Sequence, residues 1–188
     1  MIWEKYMPNS GMLAELADRM AISDLIYRYT RAMDRNDVVL GYSIWHANSI
    51  ADFGQSYQGD GPGFVDFACA SHQNLLAHQH FIGIIIIDLD GEEAGSEAYF
   101  HANMQAPAEG AIRHLAVWGR YLDRWERREG RWGIIKRVTA IDFDEIRDSV
   151  NMGGKCNSTR DRNDPSYAVL GSYGSQSDVQ DAGKGDGM

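Results

Sequence analysis

Residues 77–91, AHQHFIGIIIIDLDG, form the stretch that decides the fold of this chain. Positions 82–87 hold five isoleucines in six places, a β-branched run that is typical of a buried strand and too short to span a membrane. Asp-Gly at 90–91 predicts a tight turn into a second strand. Because both faces of the run are apolar, we expect a central strand that is covered on both sides. His78 and His80 stand at its start, where a buried histidine needs a polar partner.

The overall composition limits the classes of protein to which this chain can belong. The chain has 188 residues, of which 44% are hydrophobic, a formal net charge of -9 and a pI near 5.0. These values predict one domain with a substantial core. The acidic balance argues against nucleic acid or an anionic membrane surface as a partner. Since neither a signal peptide nor a transmembrane segment is visible in the sequence, we expect a cytoplasmic protein.

Hydrophobic periodicity predicts helices followed by long strands. The first helix is expected over residues 11–35, with a break near Ser23, and a second helix over 38–47. The other predicted elements are a short strand at 49–53, a Gly-rich loop at 54–63, a third helix at 64–77 and strands at 78–89, 93–104, 113–126 and 131–143. Three helices before long antiparallel strands favour an α+β fold, in which a curved, mixed but mostly antiparallel sheet wraps over the helices and leaves a conical cavity.

Composition divides the chain into three parts. Residues 1–10 are interpreted as a short arm and residues 11–148 as the folded domain. Over residues 149–188 the composition shifts to Gly, Ser and Asp without periodicity, which is typical of a tail. We expect side chains such as Arg160 and Tyr167 to hold part of this tail, either within the subunit or across an interface.

Several short motifs, in order, resemble the SnoaL-like branch of the NTF2-like superfamily. They extend over roughly residues 13–145, and the resemblance implies one cone-shaped α+β barrel. The matching residues are Ala21-Ile22, Asp24-Leu25, Tyr27-Arg28-Tyr29 and Asp34, then Gln79-His80-Phe81 and Leu89-Asp90-Gly91, then Gly119-Arg120-Tyr121-Leu122-Asp123-Arg124, Gly130-Arg131-Trp132 and Lys136-Arg137.

Within that branch the sequence is similar to the enzymes grouped with scytalone dehydratase, lindane dehydrochlorinase and bile acid 7α-dehydratase. The resemblance implies four catalytic residues, an aspartate at Asp34, a histidine at His80, a tyrosine at Tyr29 and an arginine at Arg137. It also implies chemistry without a cofactor. The implied assembly is a homo-oligomer, a trimer or else a dimer, built through the outer face of the sheet.

Four further residues are predicted to bind substrate: His101, Phe53, Tyr57 and Trp45. His101 is matched to a second histidine of scytalone dehydratase, and belongs to a binding wall if it faces inward but to an interface if it faces outward. Phe53 falls where those enzymes carry a cavity tyrosine. Tyr57 or Tyr42 would then have to supply the missing hydroxyl.

His80 and Asp34 together indicate general-base chemistry. Elimination beside an activating group needs a base that titrates near neutral pH, and a carboxylate on the far ring nitrogen of a histidine fixes its tautomer. The alternative is that Asp34 only ends a helix and His80 is a satisfied core histidine. Two roles stay open for Tyr29: contact with the substrate, or packing in the buried stripe of the first helix. Two partners stay open for the Arg137 guanidinium: a substrate oxygen, or a structural carboxylate such as Asp34.

The other histidines carry no predicted role. His78 is expected at the rim of the strand, and His46, His72 and His114 are expected to be incidental. A His-x-His pair without a nearby carboxylate at ligand spacing is a weak metal pattern, so no metal is predicted.

The leading prediction is a cofactor-independent lyase. It removes a proton from a hydrophobic cyclic substrate such as a steroid, polyketide or aromatic compound. Two alternatives stay open, a non-catalytic binding or assembly module of the same fold and the β-subunit of a ring-hydroxylating oxygenase. The expected partner is a hydrophobic small molecule, and not nucleic acid or a membrane.

Overall fold

A computed structural model describes residues 9–149 and 156–171. The elements are α1 (Ser10–Arg35), α2 (Val38–Tyr42), β1 (Trp45–Asp52), β2 (Gln58–Gly59), α3 (Gly61–Ser71), β3 (Ala77–Asp90), β4 (Glu93–Ala108), β5 (Ala111–Arg128), β6 (Arg131–Ser149) and α4 (Ser166–Val169). Residues 1–8 of the predicted arm, and 150–155 and 172–188 of the predicted tail, lie outside the described ranges. None of the helices within these ranges has the length and apolarity needed to span a bilayer.

The six strands form one mixed sheet in the order β2-β1-β6-β5-β4-β3. β1 runs parallel to β6, and the other neighbouring pairs are antiparallel. Gly91, Gly110 and Gly130 make the turns between the long strands with φ of 62°, 69° and 76°, which glycine adopts without steric cost. The sheet is curved and open, with the helices packed against one face, which confirms the predicted α+β architecture.

Helix α1 supplies the central stripe of the core. Asn9 caps it, because its side chain accepts a hydrogen bond from the Met12 N–H at 2.9 Å. The predicted break at Ser23 is wrong, since the Ser23 hydroxyl donates to the Arg19 carbonyl at 2.8 Å inside one continuous helix. The buried residues follow the predicted apolar spacing and include Ile22, Ile26, Tyr29 and Met33.

The predicted second helix over 38–47 is too long. α2 ends at Tyr42, and β1 already begins at Trp45, where the chain pairs with Ile134 of β6. Pairing with a long strand therefore overrides the local helical pattern.

Helix α3 begins inside the predicted Gly-rich loop. Asp60 caps it by accepting a hydrogen bond from the Gly63 N–H at 2.8 Å. At Gly61 an added Cβ would lie 2.2 Å from a ring atom of Trp45, so only glycine allows the helix to approach β1 this closely.

Strand β3 lies at the edge of the sheet, and the prediction of a central strand covered on both sides is wrong. A bulge between Ile82 and Ile85 shifts the alternation, so Ile84 and Ile86 point away from the core and are 68% and 56% exposed. The outward side chains of β3 and its neighbours form an exposed apolar surface. We call it the outer apolar face, and define it by Phe81, Ile84, Ile86, Tyr99, Trp118 and Phe143.

Residues 156–171 pack against the end of α1. The Tyr167 hydroxyl donates to Asp37 Oδ2 at 3.0 Å, and Arg35 pairs with Asp164 at 3.4 Å. This part of the predicted tail is therefore held within the subunit.

Candidate active site

Asp34 and His80 meet where the last turn of α1 lies against the start of β3. His80 Nδ1 lies 2.7 Å from Asp34 Oδ1. The backbone N–H of His80 donates to Asp34 Oδ2 at 3.1 Å. Both carboxylate oxygens are therefore held by one residue, which fixes the carboxylate against the ring.

This contact sets the tautomer of His80. A carboxylate can only accept a hydrogen bond, so Nδ1 carries the proton that is donated to Asp34. Nε2 of the neutral ring then keeps its lone pair, and it makes no hydrogen bond to the described part of the chain. The side chains of His80 and Asp34 are only 6% and 15% exposed, so solvent screens the pair weakly.

The His80 ring lines a cavity of about 230 Å³ between the helices and the inner face of the sheet. Most of the wall is apolar, and six of its residues are Tyr29, Met33, Phe53, Phe64, Phe67 and Phe100. An apolar hollow in which a few polar groups converge is typical of a small-molecule site.

Tyr29 and Phe53 are the other predicted site residues that lie in this wall. Tyr29 is 2% exposed, and its ring meets that of Tyr121 edge-on with centroids 5.4 Å apart. Burial raises the pKa of Tyr29 to about 12, while the charge of Arg137 acts in the opposite direction. The Tyr29 hydroxyl therefore stays protonated at neutral pH and can donate a hydrogen bond.

Two histidines without a predicted role, His72 and His78, also line the cavity. His78 is 5% exposed and not at a rim, because His72 at the end of α3 packs edge-on against it with ring centroids 4.8 Å apart. The His78 and His80 ring centroids are 4.6 Å apart. The His-x-His spacing signalled that His78 and His80 share a face of β3. The same spacing contained no information on where α3 ends, so it did not predict the contact with His72.

The structure places Arg137 beside a structural carboxylate, and Arg137 is not among the residues that line the cavity. Arg137 is 0% exposed and donates to both oxygens of Asp123, at 2.7 Å each. Its carboxylate partner is therefore Asp123 and not Asp34. The two residues face each other across β5 and β6, so register brings the charges together.

His101 and Trp45 also lie outside the cavity wall. His101 is on the opposite face of the sheet, where its ring stacks on Trp118 with centroids 4.1 Å apart. Alternation along β4 turns it away from its neighbour Ala102, which lines the cavity. Trp45 is 3% exposed and packs in the core.

Tyr57 supports the cavity wall from behind. Its hydroxyl donates to the Asp60 carbonyl at 3.1 Å, and its ring packs edge-on against Phe64 with centroids 5.5 Å apart. Tyr57 is therefore a packing residue of the loop before α3, and it does not supply the hydroxyl expected near Phe53.

Arg160 joins the ends of the two helices that carry the site. Its guanidinium donates to the carbonyls of Met33 and Asp34 at 3.2 Å each, and to the carbonyl of His72. These carbonyls lie at helix ends, where intrahelical partners run out. Arg160 therefore holds the backbone of Asp34 and of His72 together.

A second hollow of about 530 Å³ also reaches Asp34 and His80. Its wall includes Cys156 and Arg160, and so is built partly by residues 156–171. His80 thus borders both the apolar cavity and this more polar hollow, whereas Asp34 borders the hollow.

Among residues 9–149 and 156–171, a donor set for a metal is formed by Asp34, His78 and His80, whose ligand atoms lie within 4.8 Å of one another. Bonds from Zn²⁺ to nitrogen and oxygen are about 2.0–2.2 Å long, so its ligand atoms lie about 3.4 Å apart. The spacing of 4.8 Å is therefore wider than that between the ligand atoms of a formed zinc site. Asp34 is also already held by His80.

Sequence comparison then decides the relationship that the motifs indicated. The SnoaL-like domain family matches residues 14–138. This chain belongs to the SnoaL-like family. The matched region begins in α1, ends in β6 and includes both Asp34 and His80.

Solved structures share the fold of this SnoaL-like chain. Hexachlorocyclohexane dehydrochlorinase (LinA) type 2 has a TM-score of 0.68 at 18% identity, over 76% of this chain and 97% of that chain. A candidate scytalone dehydratase from Novosphingobium aromaticivorans DSM 12444 has a TM-score of 0.63 at 16% identity, over 76% and 97%. A candidate aromatic ring hydroxylase from Novosphingobium aromaticivorans has a TM-score of 0.60 at 21% identity, over 71% and 94%. These likenesses confirm the NTF2-like fold. No protein of curated function matches the sequence significantly.

Proposed function

We propose that this SnoaL-like protein is a cofactor-independent lyase that uses His80 as a general base on a hydrophobic cyclic substrate. The observation that supports this best is the 2.7 Å contact between His80 Nδ1 and Asp34 Oδ1 at the wall of an apolar cavity. A dehydrochlorinase and a candidate dehydratase share the fold, and both names describe eliminations.

His80 Nε2 removes the proton in the proposed reaction. It takes a proton from a carbon beside a carbonyl or another activating group, and the electron pair of the broken C–H bond enters the new C=C bond. The leaving group departs with its own bonding pair, as halide, or as water once a proton has reached the hydroxyl. Asp34 stabilises the imidazolium that forms and keeps the ring in the productive orientation.

Tyr29 is the proposed donor to the substrate oxygen or the leaving group. It lines the same cavity as His80, and its raised pKa of about 12 keeps the hydroxyl protonated. A fixed donor aimed at developing negative charge in a dry cavity lowers the barrier to the chemical step.

The cavity also restricts the substrate. Six Phe and Tyr rings line the cavity, which favours ring compounds. Its volume of about 230 Å³ is below the about 300–1,000 Å³ of sites for drug-sized ligands. Among the predicted classes, compact aromatic or polyketide-like rings are therefore favoured over a whole steroid.

Substitution of the two central residues tests the proposal. Asp34→Asn and His80→Gln would be assayed with cyclic hydroxy-ketones and halogenated rings, by following alkene formation and by NMR of α-proton exchange in D₂O. We expect kcat to fall about 10²–10⁴-fold in each variant, since that is the usual contribution of general-base catalysis. His114→Ala is the matched control, because His114 contacts Arg147 away from the cavity.

Elimination that proceeds equally well in both variants would remove the pair from the mechanism. Ligand binding without turnover, unaffected by loss of His80, would instead support a binding module. A β-subunit of an oxygenase would likewise have no need of the base.

A further inference from the structure

We propose that His72 and His78 form a second polar subsite in the cavity, which binds an uncharged oxygen of the ligand, a hydroxyl or a carbonyl, beside His80. The claim that this oxygen belongs to the substrate rests on the proposed lyase function. The claim that the cavity binds such an oxygen is tested by ligand binding alone, without turnover.

The geometry gives both histidines a free polar atom in the cavity region. His72 and His78 line the cavity, and their rings meet edge-on with centroids 4.8 Å apart. Nδ1 of each ring is buried and has no hydrogen-bond partner among residues 9–149 and 156–171. Buried polar atoms in proteins are nearly always paired, so two unpaired atoms in adjoining rings of the cavity wall indicate a place for a ligand group.

Both rings are uncharged at neutral pH. Burial, followed by the charge of Arg160 and then that of His80, lowers the pKa of His72 to about 4. Burial and then His80, His72 and Arg160 lower the pKa of His78 as well. A neutral imidazole has one donor and one acceptor nitrogen, so it can serve a hydroxyl or a carbonyl and does not attract an anion by charge.

The subsite lies next to His80, and this position relates it to the proposed reaction. His78 and His80 share a face of β3, and their ring centroids are 4.6 Å apart. An oxygen held at His78 therefore lies close to the carbon from which His80 would take a proton. The favoured ligand is a compact ring compound whose carbonyl or hydroxyl carbon adjoins the carbon that loses the proton.

A metal ion held by the same histidines is the competing interpretation. The ligand atoms of Asp34, His78 and His80 spread over 4.8 Å, and Asp34 already accepts two hydrogen bonds from His80. A bound metal would have to break these contacts and draw the side chains together. The observed arrangement favours an oxygen ligand.

Three ligands with one skeleton test the subsite: 1-tetralone, which carries a carbonyl, 1-tetralol, which carries a hydroxyl, and tetralin, which carries neither. Dissociation constants would be measured by titration calorimetry. We expect the wild type to bind at least one oxygenated compound about fivefold to tenfold more tightly than tetralin, the usual effect of one net hydrogen bond. His78→Leu should bring the affinities within about twofold, while tetralin still binds. His114→Leu, the same change outside the cavity, should keep the preference.

A second variant and a metal titration complete the test. If His78→Leu does not fold, His78→Gln and His72→Leu take its place; the first keeps a donor and an acceptor and should retain the preference, and the second should weaken it. Equal affinities in the wild type, absence of binding of all three ligands, or an unchanged preference in His78→Leu would overturn the subsite. Micromolar Zn²⁺ binding that is lost in His78→Leu would overturn it in favour of a metal site.

The lyase proposal and the subsite proposal can each be overturned without the other. Asp34→Asn should lower kcat about 10²–10⁴-fold but keep the preference for the oxygenated ligands. An active lyase without that preference would overturn the subsite alone.

Discussion

Arg137 and Asp123 form a two-armed ion pair, with both hydrogen bonds at 2.7 Å and both side chains 0% exposed. The guanidinium carbon lies 4.0 Å from the ring centroid of Tyr29 and 4.2 Å from that of Tyr121. Both tyrosines line the cavity, so the wall of the site rests on a buried charge pair.

Removing one member of this pair should destabilise the protein strongly. We expect Arg137→Met to lower the free energy of unfolding by about 3–5 kcal/mol, because Asp123 would keep a buried charge without a partner. The double variant R137M/D123L should recover much of that loss, since no buried charge then remains. Urea unfolding followed by tryptophan fluorescence would measure both.

Arg120→Met is the control for that experiment. Arg120 pairs with Glu97 and Asp142 at 3.2 Å each, with side chains about one third exposed. Such a pair contributes about 0–1 kcal/mol. If Arg137→Met costs no more than Arg120→Met, the buried pair does not stabilise the wall as we infer.

The histidine cluster should make stability depend on pH. The folded-state pKa of His78 is lowered by burial and then by His80, His72 and Arg160, with Asp34 facing the same cluster. An unfolded histidine titrates near pH 6.5. Below about that pH the unfolded chain binds protons that the folded protein does not. The free energy of unfolding should therefore fall as pH drops, by at most about 1.4 kcal/mol per pH unit per histidine.

Comparison with His78→Leu isolates this contribution. Carboxylates titrate in both proteins, so their effect cancels in the difference between the two unfolding free energies. We expect the wild type to lose about 1–2 kcal/mol relative to His78→Leu between pH 7 and pH 5. Parallel stability curves over that range would show that His78 is not held neutral by the fold.

Arg160 should act as a positioning residue for Asp34. Arg160→Met removes hydrogen bonds to the carbonyls of Met33, Asp34 and His72, and should cost about 1–3 kcal/mol of stability. Turnover should fall with KM little changed, and hydrogen exchange at the end of α1 should accelerate.

Arg162→Met is the matched control in the same segment. The Arg162 side chain is 46% exposed, and its pair with Asp37 is 3.4 Å long. We expect a change of less than about 1 kcal/mol and unaltered exchange at Asp34. Equal effects of the two variants would mean that Arg160 only anchors residues 156–171.

The outer apolar face should be a subunit interface. Phe81, Ile84 and Phe143 are 65%, 68% and 58% exposed, and the ring of Phe143 stacks on Trp118 with centroids 4.6 Å apart. Contiguous apolar surface of this kind marks association sites. Light scattering should give an oligomeric mass for the wild type, a trimer or dimer, and a monomeric mass for the double variant I84D/F143D.

Val169→Asp is the control for association. Val169 is 81% exposed on α4, away from the sheet, so its substitution should leave the mass unchanged. A monomeric wild type would contradict the predicted homo-oligomer.

Local pattern was sufficient for most of the architecture. The apolar stripe of α1, the alternation along β4 to β6 and the turns at Gly91 and Gly130 follow directly from the order of residues. The pattern failed where long-range pairing overrode it. Trp45 joined β1, and the bulge in β3 moved Ile84 outward.

The sequence by itself determined the apolar stripe of α1 and the alternation along β4 to β6, and it placed Asp34 at a helix end and His80 at a strand start. Only the tertiary structure decided which buried polar groups meet. It paired Arg137 with Asp123, turned His101 outward and brought His72 against His78. The physical reason is that a partner depends on strand register and on where a distant helix ends, and neither is encoded in the residues next to the group itself.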